Sequence, residues 1–336
     1  MAALRLHGSM AVATICGMKH GDLPFDANAA RQAYMIDFLG QLAPQAGYTL
    51  SALDDVRFLR ANAPIARAPV MYEPSIVVVC QGTKRGYLGD AVYTYDAQQF
   101  LVLSVPLPFE SETVASAAEP MLAVAIRIDL AVAAELALAL DASERSAAAA
   151  PVGICATPLD DKLGDAVLRL LQALASPTEA RVLGAAILRE IYFRVLIGVQ
   201  GPALRAALTQ QSHFGKISRA LRRIHGSFSE TLSVQALASE AGISVPAFHA
   251  RFKAVTQTSP IQYIKTTRLH KARLLMVQDG LTAGAAAARV GYESASQFSR
   301  EFKRFFGRTP AEEAAQMKDV LALVPQVATG RYVTVQ

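Results

Sequence analysis

The sequence has no tryptophan and few cysteines or histidines, three and six respectively among 336 residues. Cys16, Cys80 and Cys155 lie far apart and form no CxxC pair, which argues against a disulfide framework and against a thiolate zinc site. No apolar run reaches the roughly 18 residues that a membrane-spanning helix needs. The apolar segment 10–18 is short and lacks a cleavage pattern of small residues, so it does not resemble a secretory signal. We therefore expect a cytoplasmic protein that does not bind membranes.

The sequence also lacks the short signatures of common enzyme classes. It contains no GxxxxGK[ST], GxSxG or HExxH motif. None of the histidines falls in the β-rich region 68–129, so a metal centre there would have no imidazole ligand. The adjacent pairs Asp54–Asp55 and Asp160–Asp161 are typical of turns and helix caps. The sequence therefore predicts no catalytic residue, no metal site and no cofactor, and a protein that is not an enzyme.

Basic residues are concentrated towards the C-terminus. The whole chain has a net charge of +5. Between residues 213 and 316 there are 15 lysines and arginines against 7 acidic residues, a net charge of +8, and the rest of the chain has a net charge of −3. Such asymmetry favours a polyanionic partner for the basic segment. The alternative is a solvated basic surface without a partner.

Short β-rich runs dominate the first half of the chain, after a helix predicted over 27–44. Glycine, aspartate and proline separate the runs, a spacing typical of a small barrel or sandwich. The predicted strands are Ser75–Cys80, Ala91–Tyr95, Phe100–Val105 and Met121–Ile128. Pro106 and Pro108 are predicted to shape a connection between strands. Helical patterns follow at Ala131–Leu140, Leu159–Leu174, 177–196 and Ser212–His225.

A break in the helical pattern divides the chain into two domains. Gly201 and Pro202 interrupt the pattern and place the boundary near 200–212. The basic segment falls in the second domain, where the polyanion is therefore expected to bind. The predicted organisation is an unassigned tail at 1–26, an N-terminal domain at 27–200, a basic domain at 205–320 and a tail at 321–336.

The basic domain contains an internal repeat with an offset of fifty residues. Ser244-Val-Pro-Ala-Phe-His-Ala-Arg-Phe-Lys matches Ser294-Ala-Ser-Gln-Phe-Ser-Arg-Glu-Phe-Lys. Each copy predicts a helix, a glycine turn, a serine that caps the next helix, and a second helix. This pattern indicates two helix–turn–helix units, at about 232–255 and 281–305. A pair of ordinary αα-corners is the alternative.

Aromatic pairs fix which side of each second helix faces inward. Phe248 with Phe252, and Phe298 with Phe302, are spaced i, i+4 and must pack on one face. In the second unit the opposite face carries short polar and basic side chains, which suit a DNA major groove. These residues are Ser296, Ser299, Arg300 and Lys303, with Gln297 at the margin.

At these residues the sequence resembles the AraC family of bacterial transcription regulators. The resemblance rests on the C-terminal segments "SPIQYIKTTRLHKARLLM" and "ARVGYESASQFSREFKRFFGRTP". It extends forward to "VMYEPSIVVVCQGTKRGYLGDAVYTYDAQQFLVLSVPLPFESE" and "LREIYFRVLIG", so that it covers about residues 40–315. It implies an α+β multidomain protein: a cupin-like β-barrel that senses an effector and dimerises, a helical connector, and an all-α domain with two helix–turn–helix units.

The resemblance also implies which residues meet DNA. Base-facing positions would be Pro246, His249 and Ala250 in the first unit, and Ser296, Gln297, Ser299 and Arg300 in the second. The first unit has Ala250 where relatives commonly have arginine, and it offers little hydrogen-bonding reach beyond His249. We therefore expect the second unit to read the sequence, while Arg251 and Lys253 place the first unit on phosphates.

The strands predict a candidate effector pocket. Alternation places Tyr93 and Tyr95 on one face of a strand, and Val78 and Cys80 on one face of another. If both faces point inward, the pocket is apolar with phenolic groups and suits a small uncharged or aromatic effector. An ordinary packed core is the alternative.

Together these observations predict an effector-responsive transcription regulator. It would bind double-stranded promoter DNA as a homodimer, and RNA polymerase if it is an activator. Two alternatives carry the same DNA-binding module: a cupin-type enzyme, and an alkyl-transfer DNA repair protein with an acceptor thiol. The apolar strand around Cys80 argues against such a thiol, because burial disfavours the thiolate.

Overall fold

A computed structural model describes residues 27–97, 99–140, 153–209, 212–318 and 323–324. The predicted N-terminal tail 1–26 lies outside the described residues, as does most of the C-terminal tail. No helix in these ranges combines the length and apolarity needed to cross a bilayer.

Two β-sheets packed face to face form the N-terminal domain. One sheet has the order β10-β7-β4-β9-β2-β1-β11 and the other β3-β8-β5-β6. The pairs are antiparallel except that β11 runs parallel to β1. We call the two sheets the barrel, since β6 also contacts β7 and β10. The strands are β1 (Gly47–Leu50), β2 (Val56–Ala61), β3 (Ile65–Tyr72), β4 (Ser75–Gln81), β5 (Thr83–Leu88), β6 (Ala91–Asp96), β7 (Gln99–Leu103), β8 (Leu107–Val114), β9 (Met121–Arg127), β10 (Ile154–Pro158) and β11 (Leu323–Val324).

Helices cover the outer face of the larger sheet and continue into the C-terminal domain. Apolar residues of the first four helices pack on the outward side chains of β4 and β9. Gly201 and Pro202, predicted to break the helical pattern, instead begin α5, because the first turn of a helix tolerates a missing N–H. The helices are α1 (Ala27–Leu42), α2 (Leu130–Ala139), α3 (Asp161–Leu174), α4 (Pro177–Ile197), α5 (Gly201–Leu208), α6 (His213–Gly226), α7 (Val234–Glu240), α8 (Val245–Thr256), α9 (Pro260–Gln278), α10 (Ala283–Arg289), α11 (Ala295–Phe306) and α12 (Pro310–Met317).

The structure confirms the predicted fold class, a β domain followed by a helical domain with two helix–turn–helix units. Two of the strands that the sequence analysis did not predict, β3 and β8, contain proline. Pro69 lies in β3, an edge strand, where a missing N–H does not interrupt the sheet. Pro108 was assigned to a connection but lies in β8, before the stretch that pairs with β5.

The apolar core does not divide where the two domains were predicted to meet. Barrel residues such as Leu103 and Leu107 belong to one continuous cluster with Phe248, Phe252 and Tyr263 of the first helix–turn–helix unit. The second unit has a core of its own around Leu269, Ala272, Met276, Val290, Phe298 and Phe302. The first unit is therefore packed with the barrel, and α9 runs from one core to the other.

Candidate nucleic-acid interface and effector cavity

The second helix–turn–helix unit consists of α10, a tight turn at Gly291 and α11. Gly291 has a φ of +84°, a left-handed conformation that favours glycine and permits the sharp turn. Ser294 caps α11, and its hydroxyl oxygen accepts a hydrogen bond from the backbone N–H of Gln297 at 3.2 Å. Phe298 and Phe302 are fully buried, with ring centroids 5.3 Å apart. The aromatic face of α11 is thus fixed inward, and its other face is turned to solvent.

The solvent face of α11 carries the residues predicted to read DNA. Ser296, Gln297, Arg300 and Lys303 are exposed, whereas Ser299 is half-buried and donates its hydroxyl proton to a backbone carbonyl one turn earlier, at 2.9 Å. Among the described residues, nothing forms a hydrogen bond or ion pair with the charged ends of Arg300 and Lys303. Both cations are therefore available to an outside anion or base edge.

Glu301, which the sequence analysis did not single out, links α11 to its neighbours through its carboxylate. Its carboxylate accepts hydrogen bonds from the Tyr292 hydroxyl at 2.8 Å, the Lys265 ammonium at 3.1 Å and the Gln297 amide group at 3.2 Å. Burial acts to raise the pKa of Glu301, but these three donors outweigh it and the pKa is lowered. The ionised carboxylate ties α11 to α9 and restrains Gln297 at the edge of the solvent face.

The first unit consists of α7, a turn at Gly242 with φ +64°, and α8. Phe248 and Phe252 are fully buried, as predicted, with ring centroids 5.5 Å apart. Ser244 was expected to cap α8 but makes no side-chain hydrogen bond. Pro246 occupies the second helical position and has no N–H, which removes one of the two donors that a capping serine uses.

The predicted DNA-facing residues of α8 are exposed with one exception. Pro246, His249, Ala250 and Lys253 face solvent. Arg251 is half-buried, and its Nη1 is shielded from water with no hydrogen-bond partner among the described residues. Lys253 is consequently more accessible to an outside anion than Arg251.

A small cavity of about 80 Å³ is lined by residues of the barrel and its connecting loops. Its apolar wall includes Leu59, Val77 and Ala125 from the inner face of the larger sheet. A neighbouring cavity of about 40 Å³ shares Tyr48 and Tyr72 with it. The second cavity is closed by residues of α9, namely His270, Lys271, Arg273 and Leu274.

Ionisable side chains around these cavities are held largely out of water. Burial raises the pKa of both Tyr48 and Tyr72. Burial lowers the pKa of Lys84 and Lys271, and in Lys271 the negative charge of Glu73 opposes that shift. Burial likewise raises the pKa of Glu73, against the cations near it. Glu73 and Lys271 therefore influence each other electrostatically, while burial remains the larger effect on the pKa of each.

The predicted effector pocket is wrong in part. Tyr95 is fully buried inside the barrel, and its hydroxyl has no partner among the described residues; Tyr93 on the same face is half-buried. Val78 and Cys80, however, point outward and pack with the helices that cover the larger sheet. The inward residues of β4 are Val77 and Val79, because side chains alternate along a strand.

Two cysteines, Cys80 and Cys155, lie in the described part of the chain. Cys80 is fully buried, and burial raises the pKa of its thiol to about 12. Cys155 is half-buried and forms no disulfide. No group of three or more His, Cys, Asp or Glu side chains that could hold a metal ion occurs within the described ranges.

Two family models match this chain. Residues 52–203 match the N-terminus of AraC-type transcriptional regulators, and residues 237–316 match a helix-turn-helix domain. The second match begins within α7 and continues through α8, α9 and the second unit, and the first contains most of the barrel with α2 to α4.

Similar proteins include two curated regulators and one solved structure. The chain is 27% identical over 156 residues to the HTH-type transcriptional regulator ArgR of Pseudomonas aeruginosa, covering 46% of this chain and 47% of that protein. It is 32% identical over 95 residues to the HTH-type transcriptional regulator AlkR of Acinetobacter baylyi, covering 28% of this chain and 31% of that protein. The aligned segments thus span less than half of these relatives. Unsaturated fatty acid bound ToxT from Vibrio cholerae shares the fold, with a TM-score of 0.58, 15% identity, and coverage of 77% of this chain and 93% of that chain.

Proposed function

Because the chain belongs to the AraC-type transcriptional regulators, we propose that it is an effector-responsive regulator that binds a specific DNA sequence through both helix–turn–helix units. The observation that carries the proposal is the solvent face of α11. Arg300 and Lys303 project without partners from a helix whose other side is fixed by Phe298 and Phe302. A rigid helix with free basic and short polar side chains can enter a major groove.

The proposal assigns different tasks to the exposed residues. Arg300 reads a base edge, with guanine as the best match for its planar guanidinium. Ser296, Gln297 and Ser299 contribute hydrogen bonds, while Lys303 and Lys253 contact phosphates. His249 is the one exposed hydrogen-bonding side chain among the proposed base-facing residues of α8, because its neighbours there are Pro246 and Ala250.

We propose that the effector occupies the two neighbouring cavities, one within the barrel and one between the barrel and α9. Its apolar part would lie against Leu59 and Val77, and its polar end would meet Tyr48, Tyr72 or Lys271. The fold relative ToxT was solved with an unsaturated fatty acid bound, which supports testing carboxylic acids first. Lys271 lies on the helix that joins the two DNA-binding units, so a ligand there contacts both domains.

Binding-site selection with the full-length chain tests the DNA-binding proposal. We expect enrichment of a defined sequence and an affinity that falls steeply with salt, because phosphate contacts release counterions. Arg300→Ala should weaken binding to that sequence, whereas Arg181→Ala, an exposed arginine on α4, should not. Selection without enrichment, or equal losses in both variants, would remove the basis for this function.

The effector proposal has its own test. Thermal unfolding is followed with a panel of monocarboxylic acids and their uncharged amides, using the native chain and Lys271→Met. An acid that raises the Tm of the native chain more than its amide does, and not that of Lys271→Met, supports an anionic effector. Equal stabilisation by acid and amide would favour the uncharged effector predicted from the sequence.

Assembly is part of the proposal as well. We propose a homodimer on DNA, with promoter DNA as the partner and with RNA polymerase as a second partner if the protein activates transcription. Sedimentation of the full chain with and without DNA measures the stoichiometry. One chain per selected site at saturating protein would contradict the dimer.

A further inference from the structure

Arg268 lies on α9 between the residues that pack in the core shared with the barrel and those that pack in the core of the second unit. Tyr263 and Ile264 precede it and pack in the cluster shared with the barrel. Leu269 and Ala272 follow it and pack in the core of the second unit. The helix alone connects the two units in sequence, and its 19 residues span about 28 Å.

The guanidinium of Arg268 joins the loop that leads into the first unit to the turn of the second unit, through three backbone carbonyls. Its Nε donates to the Phe228 carbonyl at 2.7 Å and its Nη2 to the Glu230 carbonyl at 2.8 Å, both between α6 and α7. Its Nη1 donates to the Gly291 carbonyl at 3.1 Å, in the turn of the second unit. The guanidinium is planar and its N–H donors point in fixed directions. The three hydrogen bonds therefore fix the relative orientation of the joined segments as well as their separation.

Gly291 provides an independent sign that the two units are docked against each other. A Cβ atom at this position would collide with the backbone carbonyl of Ser229, which lies between two of the carbonyls that Arg268 holds. The turn of the second unit therefore lies directly on the loop that leads into α7, the first helix of the first unit. Glycine is required here for this close approach as well as for its positive φ.

We propose that Arg268 is a positioning residue that fixes the separation and rotational phase of α8 and α11, and so sets the base-pair spacing that the protein accepts in its DNA site. The inference rests on the proposed DNA binding. Adding one base pair between two half-sites moves them apart by about 3.4 Å and rotates them by about 34°. A clamped pair of units cannot follow this change, whereas a pair joined by α9 alone has more freedom to adapt.

The test compares selected sites with the native spacing, with one inserted base pair and as isolated half-sites, using the full-length chain. For the native chain we expect insertion to cost about tenfold or more in affinity, because simultaneous engagement is lost. Arg268→Lys keeps the charge but lacks the fork. It should bind the native spacing about tenfold more weakly, lose most of the insertion penalty, and bind half-sites as the native chain does.

A core substitution distinguishes positioning from loss of stability. Met276→Val alters the second core without touching the three carbonyls, and it should weaken binding at both spacings by the same factor. The inference is overturned if Arg268→Lys keeps the full insertion penalty, or if its half-site binding falls together with its binding to the complete site. Failure of the native chain to select any sequence would instead reject the proposed DNA binding.

Discussion

The Tyr263 hydroxyl donates a hydrogen bond to the Pro106 carbonyl at 2.9 Å, joining α9 to the barrel across 157 positions of sequence. The same oxygen lies 2.8 Å from His225 Nε2. Because the hydroxyl proton is engaged by Pro106, the imidazole must donate at Nε2, which fixes its tautomer and leaves Nδ1 as an acceptor. This junction joins α6 and α9 to the barrel, and Tyr263 lies in the core cluster that also contains Phe248 and Phe252 of the first unit.

Removing that hydroxyl should destabilise the whole chain. Tyr263→Phe keeps the edge-to-face packing on Phe252 but leaves the Pro106 carbonyl without its donor, at a cost of about 1–3 kcal/mol in the free energy of unfolding. Tyr34→Phe, at a side chain that is 61% exposed, is the control and should change nothing. Denaturant unfolding measures both, and equal stability of the two variants would contradict the role of the junction.

Buried histidines should make the protein less stable in mild acid. Burial, with the charge of Lys271, lowers the pKa of His225 to about 3, and burial also lowers the pKa of His270. Both are neutral when folded but titrate near 6.5 when unfolded, so their stabilisation is complete above that pH and declines below it. Keeping His225 neutral should cost about 1.4 kcal/mol by pH 5.5, and His270 should act in the same direction.

The variant His225→Gln removes one of these two contributions. Unfolding free energies at pH 7.5 and pH 5.5 should differ less in the variant than in the native chain, by about 1.4 kcal/mol. This interval lies above the range in which most carboxylates titrate. If the unfolding free energy changed by the same amount between the two pH values in the variant and in the native chain, His225 would be protonated in the folded protein at pH 5.5.

A buried ion pair should be sensitive to loss of its acid. Glu313 is 3% exposed and accepts from Arg273 at 3.3 Å and from Arg308 at 3.1 Å, and Arg273 also donates to the Pro69 carbonyl of the barrel. Glu313→Gln leaves the buried Arg273 charge uncompensated, at a cost of about 3–5 kcal/mol.

Its neighbour in sequence offers a matched control. Glu312 is exposed and completes the capping box with Thr309, a role that glutamine can also fill. Glu312→Gln should therefore change the free energy of unfolding by less than about 1 kcal/mol. Comparable losses in the two variants would mean that the Arg273 pair contributes nothing beyond an exposed cap.

The two reading helices should contribute unequally to sequence recognition. Arg300→Ala should cost about 1–3 kcal/mol at the selected site and relax the base preference at one position. His249→Ala removes one shorter contact and should cost less, and both variants should remain folded because both side chains are exposed. Titration against single-base substitutions of the site measures each loss. A uniform loss across all sequences for Arg300→Ala would assign that residue to phosphate contact.

The local sequence pattern determined the two helix–turn–helix units and the buried face of α11. The spacing of Phe298 and Phe302 predicted which face of α11 is buried, and the glycine turns with their following serines predicted both units. These features depend on residues within a few positions of each other, so the sequence contains all the information needed. The local pattern did not show which face of β4 points into the barrel, because helices cover the outer face and both faces are therefore apolar. Val78 and Cys80 were for this reason assigned to the inner face, although they lie on the outer one.

Tertiary structure alone decided how the parts are joined. The sequence suggested a boundary at Gly201 and Pro202, yet the apolar core continues from the barrel into the first unit and ends before Leu269. The contacts of Arg268 with Phe228 and Gly291, and of Tyr263 with Pro106, connect residues that no period or motif relates. A backbone carbonyl is present at every residue, so only the folded chain determines which one a distant arginine or tyrosine meets.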